Sequence, residues 1–236
     1  MVGRIFLSLS LAIAAASLAS AEEIRGIVII KQKLTRHRVT PSASLYQRGP
    51  AVALHADSDP DPLAAERTRV VIYIDGSIAS SPVSPIPSIE QKDRRFVPEL
   101  LAVSVGSTVS FPNLDPIFHN VFSLSKPKSF DLGNYPKDQT RTVTFNRPGI
   151  EFINCHLHPN MSATIVVTPN RWHAIPDRDG RFTLRDVPPG THQVVAWHKA
   201  AGPIHASVDV VSGRGASVEL FVPVDPESNL KIEARR

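Results

Sequence analysis

The sequence predicts an all-β protein made of two consecutive sandwiches. Proline accounts for 21 of the 236 residues, and valine and isoleucine recur in short runs between turn residues, a composition typical of strands joined by many turns. No segment of ten or more residues has the apolar period of a helix, whereas several alternate with the two-residue period of a strand. The length is compatible with one or two domains.

The first residues have the pattern of a signal peptide. Arg4 precedes an apolar run rich in leucine and alanine, which ends in small residues at 19–21. Neither this run nor any later stretch reaches the roughly 20 apolar residues needed to span a bilayer. We therefore expect residues 1–21 to be removed, and the mature chain to begin near Glu22 in a periplasm or outside the cell, without a membrane span.

Residues 22–66 are predicted to contain an N-terminal strand and a linker. The stretch 24–34 (IRGIVIIKQKL) is rich in β-branched residues, and a polar segment with many turn residues follows it. A first domain is expected over residues 67–168. Its opening strand is either 68–76 (TRVVIYIDG) or the residues before Phe96.

Four segments carry the remaining strand signals of the first domain. Residues 99–113 and 141–155 each give a strand, a turn with glycine and a second strand, while 119–124 and 162–169 give single short strands. This series predicts an antiparallel sandwich or barrel.

The strand pattern repeats on a smaller scale after the first domain. Residues 169–223 are predicted to form a second small sandwich, because Asp-Gly and Pro-Pro-Gly turns separate apolar runs in 177–198 and a further hairpin follows at 205–222. Residues 224–236 form a charged tail.

A candidate metal site lies around Cys155, the only cysteine of the chain. In an exported protein an unpaired thiol is an intermolecular bridge, a reactive group, a metal ligand or an inert core residue. His158 and Met161 follow Cys155 at intervals of three, in a loop short enough to turn all three side chains toward one point. A thiolate and a thioether are soft ligands and imidazole is borderline, a mixture that selects copper over hard cations.

A copper site of this type needs a second imidazole. His119, 36 residues before Cys155, begins a predicted strand and can lie at the same end of the sandwich. His156 is the rival, but as the neighbour of Cys155 it should point to the opposite side of the strand. His119 is therefore favoured.

The segments 111–123 (FPNLDPIFHNVFS) and 155–161 (CHLHPNM) resemble the cupredoxins, the plastocyanin-like blue copper proteins, with a Cys-x2-His-x2-Met spacing of the amicyanin type. The resemblance covers roughly residues 90–168 and implies a Greek-key β-sandwich that binds one type 1 copper ion. The ligands that it implies are His119, Cys155, His158 and Met161. It also implies that Asn120 ties the two ligand loops together and that its backbone N–H points to the sulfur of Cys155.

The resemblance further implies an apolar docking patch around the partly exposed His158. Its rim would be formed by Pro116, Ile117, Pro159 and Asn160. The implied partner is a redox protein such as a c-type cytochrome or a quinoprotein dehydrogenase.

The second sandwich resembles the carboxypeptidase regulatory-like, or transthyretin-like, module over residues 177–198. This likeness implies a role in packing or interaction and no catalysis. Since that module opens with an early strand, it also implies that residues 24–34 pair with the second domain. The contacts expected in that case are those of Ile27 or Ile29 with Val194 or Val195.

The function predicted from these features is that of an exported, monomeric type 1 copper protein that carries single electrons and is not an enzyme. The sequence has no nucleophile elbow, P-loop or His-Glu-x-x-His motif. Its lysines and arginines are scattered and the net charge is only +4, so no nucleic-acid partner is expected.

The alternative to an electron carrier is a periplasmic copper carrier or storage protein. Met1 and Met161 are the only methionines, so the chain lacks a methionine-rich stretch for such a role.

Overall fold

The computed structural model describes residues 22–35, 60–77 and 86–223. They form sixteen strands and one four-residue helix, so the prediction of an all-β fold is confirmed. The predicted signal peptide (1–21), the greater part of the predicted linker and the predicted tail (224–236) lie outside the described residues. Within the described residues, no helix has the length and apolar character to cross a membrane.

The elements are numbered in chain order. The strands are β1 (Glu22–Ile29), β2 (Val70–Ile74), β3 (Glu90–Lys92), β4 (Arg95–Val97), β5 (Leu100–Ser104), β6 (Thr108–Pro112), β7 (His119–Ser123), β8 (Phe130–Tyr135), β9 (Thr140–Thr144), β10 (Gly149–Asn154), β11 (Ser162–Thr168), β12 (His173–Ala174), β13 (Arg181–Val187), β14 (Gly190–His198), β15 (Gly202–Val210) and β16 (Ala216–Phe221). The helix, α1 (Ala64–Arg67), lies at the end of the segment predicted to be a linker.

The first sandwich contains a five-stranded sheet with the order β5-β11-β10-β7-β8. The β6-β9 ladder completes the sandwich, and the β3-β4 hairpin joins β6 through isolated bridges. Val121, Ile153 and Ile165 are fully buried in its core, as the two-residue period of their strands requires. Phe122 of β7 pairs with Asn154 of β10 in antiparallel register. The start of β7 therefore lies beside the end of β10, at one end of the sandwich.

The second sandwich consists of the sheets β13-β1-β16 and β12-β2-β14-β15. β1 runs antiparallel to β13 and parallel to β16, which confirms that the N-terminal strand pairs with the second domain. Ile24 and Val28 share the buried core with Val194. Ile27 and Ile29 are only partly buried, so the inward residues differ from those expected.

The strand β2 also belongs to the second sandwich, where it pairs with β12 and β14. The prediction that residues 67–168 form the first domain therefore differs from the structure at this strand. β2 is apolar on both faces, because Ile72 lies in the core of the second sandwich while Val71 packs with Val166 and Trp197 between the two sandwiches. The first sandwich is thus inserted between β2 and β12 of the second.

Candidate metal centre

His119 is the first residue of β7 and is fully buried. Strand alternation turns it to the same side as Val121, which lies in the core of the first sandwich. His119 pairs with Tyr135 of the neighbouring strand β8. The imidazole is therefore held by a paired strand at the end of the sandwich where β10 also ends.

Cys155, His158 and Met161 lie in the loop that joins β10 to β11. Asn154 and Ser162 pair across this hairpin, which confines the loop to the residues between them. The backbone N–H of Met161 donates to the carbonyl of His158 at 2.9 Å and closes the loop into a tight turn. Cys155 and Met161 are buried in one apolar core, whereas His158 is half-buried.

The side chains of His119, Cys155 and His158 bring three potential metal-binding atoms together. These atoms all lie within 4.8 Å of one another. The Nδ1 atoms of the two histidines are 3.0 Å apart, and Sγ of Cys155 is 3.7 Å from Nδ1 of His158. No other such cluster of three His, Cys, Asp or Glu side chains occurs in the described part of the chain. Met161 is buried in the same core as Cys155, and its role as a ligand stays a prediction.

The carboxylate of Asp115 orients His119. Its Oδ2 atom lies 2.8 Å from Nε2 of His119, and its two oxygens accept the backbone N–H groups of Asp93 and Arg94 at 2.7 and 2.8 Å. Burial acts to raise the pKa of Asp115, but the hydrogen bonds from Arg94, His119 and Asp93 outweigh it and the pKa is lowered. The ionised carboxylate accepts a hydrogen bond from the Nε2–H of His119, so the lone pair of the neutral imidazole lies on Nδ1.

His158 also presents a nitrogen suited to metal binding. Its pKa is lowered, first by burial and then by the electrostatic influence of the neighbouring His119 and Arg94. A lowered pKa favours the neutral imidazole, which is the form that binds a metal. Two imidazole nitrogens and a sulfur that face one another fit a single borderline-to-soft cation such as copper.

The expected contacts of Asn120 are confirmed. Its backbone N–H donates to Sγ of Cys155 at 3.4 Å, and its Oδ1 accepts the backbone N–H of His156 at 3.4 Å. The side chain of Asn120 therefore ties the two loops together. The ring of His156 stacks on Phe122 with the centroids 3.7 Å apart and the planes at 3°, and His156 is outside the cluster of three donor atoms.

Sequence reasoning missed Asp115 and the hairpin that it contacts. The available signal was local: Asp115 precedes His119 by four residues, and Asn113 accepts the Asp115 N–H at 3.0 Å as an asparagine in a turn often does. The approach of Asp93 and Arg94 from β3-β4 depends on tertiary packing.

Exposed apolar side chains surround the end of the sandwich that carries the cluster. Phe118 is 56% exposed, Leu157 45% and Leu114 40%. A cleft beside them is lined by Arg94, Pro116 and other residues of the two adjoining loops. Large exposed apolar residues in the loops that carry the cluster are a feature typical of contact surfaces.

No protein-family model matches the sequence, and no curated protein matches it. Among solved structures, the chain is similar to the copper-containing nitrite reductase (NirK) from Thermus scotoductus SA-01, with 24% identity and a TM-score of 0.34 over 39% of this chain and 24% of that chain. This chain thus spans only about a quarter of the length of that enzyme.

Two smaller proteins are also similar over part of the chain. A variant of amicyanin in the Cu(I) state shares 23% identity over 41% of this chain and 97% of its own, with a TM-score of 0.34. A purple cupredoxin from Nitrosopumilus maritimus shares 21% identity over 35% of this chain and 99% of its own, with a TM-score of 0.32.

Proposed function

We propose that this chain is an exported type 1 copper protein that carries single electrons between redox partners. The observation that carries the proposal is the convergence of His119, Cys155 and His158, whose donor atoms lie within 4.8 Å of one another. The proposed ligands of one copper ion per chain are His119, Cys155, His158 and Met161.

The bound copper would supply a one-electron couple, and the protein supplies a fixed environment for it. Asp115 accepts the Nε2–H of His119 and so turns Nδ1 toward the other donor atoms, and the Asn120 N–H donates to the sulfur of Cys155. Hydrogen bonds to the sulfur and an apolar surrounding tune the potential of such a site. Paired strands on both sides of the loop favour one geometry for both oxidation states, so that little has to move during transfer.

The proposed docking surface is formed by Leu114, Phe118 and Leu157 around the half-buried His158. A small apolar surface suits a short-lived encounter in which His158 approaches the partner. We propose a redox protein as the partner, such as a c-type cytochrome or a quinoprotein dehydrogenase, and a periplasmic or extracellular location for both.

For the second sandwich we propose a packing or interaction role, like that of the carboxypeptidase regulatory-like module. It would comprise β1, β2 and β12 to β16, whereas the copper domain would comprise β3 to β11. Val71 and Trp197 pack against Val166 between the two units. This contact supports a fixed arrangement in which the second sandwich covers part of the five-stranded sheet.

Addition of Cu(II) to the purified chain tests the proposal. A type 1 site gives an intense blue thiolate-to-copper band and a narrow parallel hyperfine splitting in electron paramagnetic resonance, and Cys155→Ser should abolish both. A pale, tetragonal copper spectrum, or colour that survives Cys155→Ser, would contradict it. An electron carrier should also keep its copper through repeated oxidation and reduction; release of the metal to a chelator on reduction would favour a copper carrier instead.

A further inference from the structure

Asp131 lies where a bulge bends β8. The strands β7 and β8 pair through Asn120 with Asn134 and through Phe122 with Asp131, so β8 has one extra residue between the two pairs. Gly133 adopts φ +66° there, a left-handed conformation that is free of strain for glycine. Bulges re-aim neighbouring side chains. Oδ1 of Asp131 accepts the Gly133 N–H at 2.7 Å, which fixes the direction of the carboxylate.

The carboxylate of Asp131 contacts both segments that flank the proposed copper site. Nδ2 of Asn120 donates to its Oδ1 at 2.6 Å, and Nε2 of His156 is 3.6 Å from its Oδ2. Stacking on Phe122 holds the His156 ring in this position. The pKa of Asp131 is lowered, chiefly by the Gly133 N–H and next by the Asn120 amide. An ionised carboxylate is a stronger acceptor than a neutral group.

Asn120 links the carboxylate of Asp131 to the sulfur of Cys155 through its own hydrogen bonds. The carboxamide of Asn120 donates to Asp131 at one end and accepts the His156 N–H at the other. Its rotation would break one of these hydrogen bonds, so the adjoining backbone N–H is held toward Sγ at 3.4 Å. None of the contacts found for Asp131 among the described residues is with a proposed copper ligand.

We propose that Asp131 is a positioning residue: through the Asn120 carboxamide it fixes the N–H···S hydrogen bond to Cys155 and thereby sets the reduction potential of the bound metal. This inference rests on the proposed copper site. The physical basis is that a hydrogen bond to the thiolate withdraws electron density from the sulfur and so favours the reduced metal. Loss of the bond should therefore lower the potential.

Three variants separate this effect from a simple change of charge. Asp131→Asn removes the charge but keeps an acceptor oxygen for the Asn120 amide, whereas Asp131→Ala removes both. Asp138→Asn removes an exposed carboxylate from the neighbouring β8-β9 turn and serves as the control. Relative to Asp131→Asn, we expect Asp131→Ala to shift the equilibrium about tenfold toward the oxidised metal, a potential lower by ~59 mV for a one-electron couple. Equal potentials and equal charge-transfer bands in these two variants would overturn the inference.

Amide hydrogen exchange in the metal-free protein gives a readout that needs no copper. The side-chain amide of Asn120 should be protected relative to that of the exposed Asn160, and Asp131→Ala should remove the protection while Asp131→Asn keeps it. An Asn120 amide that exchanges as fast as that of Asn160 in the unaltered chain would overturn the inference. An unaltered chain without a type 1 spectrum would instead overturn the proposed function, so the two failures are distinguishable.

Discussion

Nε2 of His119 lies 2.8 Å from Oδ2 of Asp115, and the same carboxylate accepts two backbone N–H groups from the β3-β4 hairpin. One side chain therefore fixes the tautomer of a proposed ligand and attaches the β3-β4 hairpin to the loop that precedes β7. Asp93 and Arg94 have positive φ values of 54° and 56°, which are costly for residues other than glycine. The hydrogen bonds to Asp115 offset part of that cost.

Asp115→Asn should weaken copper binding by about 10-fold to 100-fold, the range typical for partners that orient a ligating histidine. The neutral amide cannot accept from His119, Asp93 and Arg94 together, because one of its two terminal atoms is a donor. Competition with a chelator of known affinity would measure the loss. Asp93→Asn removes a charge from the same hairpin but leaves its backbone N–H, and should bind copper normally. Equal weakening in both variants would show that only the charge matters.

His156→Ala and His158→Ala form a matched pair that tests the choice of ligand. His158→Ala should abolish the blue band because it removes a donor atom from the cluster. His156→Ala should keep the band, because its ring stacks on Phe122 outside the cluster. Titration with Cu(II), followed by visible absorption, distinguishes the two. A blue His158→Ala protein beside a colourless His156→Ala protein would exchange the roles of these histidines.

The convergence of Cys155 with His158 was predictable because the information for it is local, whereas the surroundings of their loop were not. Cys155, His158 and Met161 are close in sequence, and a short loop between strands leaves them few arrangements. The β3-β4 hairpin lacks the Asn-Gly or Asp-Gly sequence that usually marks a tight turn, and its geometry depends on Asp115 across the fold.

The sequence left open whether β2 belongs to the first sandwich, also for a physical reason. VVIYI is apolar on both faces, a pattern that indicates a strand covered on both sides. It does not indicate which neighbouring strand forms the hydrogen bonds. The hydrogen bonds come from β14, which follows the inserted sandwich in the chain and lies beside β2 in the folded protein. Only the tertiary structure reveals this pairing. Tertiary pairing likewise decides which side chains of β1 face the core. Ile24 and Val28 point inward because the register of β1 is fixed by β13 and β16.

Glu151→Gln should make the stability of the protein less dependent on pH. Glu151 is fully buried, and one carboxylate oxygen accepts from Ser123 at 2.9 Å. Burial raises the pKa of Glu151, although the Ser123 hydroxyl and the N–H and charge of Lys128 act in the opposite direction.

The sign follows from proton binding in the folded and unfolded states. Above pH 4.5, the ordinary value, the unfolded carboxyl loses its proton while the folded one retains it, so stability falls as the pH rises toward the folded pKa. Glutamine removes this loss. Denaturant unfolding at pH 4 and pH 7 should show a smaller decrease for Glu151→Gln than for the unaltered chain, whereas Glu219→Gln on an exposed position should change nothing. A decrease of unaltered size in Glu151→Gln would contradict the prediction.

Gly26→Ala should destabilise the second sandwich and leave the copper spectrum unchanged. A Cβ atom at residue 26 would collide with the ring of Phe182 and lie 2.8 Å from the carbonyl oxygen of Val218, on the two strands between which β1 is held. The ring must shift, and overpacking of this kind costs about 1–3 kcal/mol of the free energy of unfolding. Thermal unfolding of the metal-free protein measures the loss, and the visible spectrum of the copper-loaded protein provides the comparison.

If the alanine variant unfolds at the same temperature as the unaltered chain, the close approach of β1 to β13 is wrong. If it loses the blue band while still folded, the domain proposed to bind copper depends on the second sandwich more directly than the contacts of Val71, Val166 and Trp197 indicate.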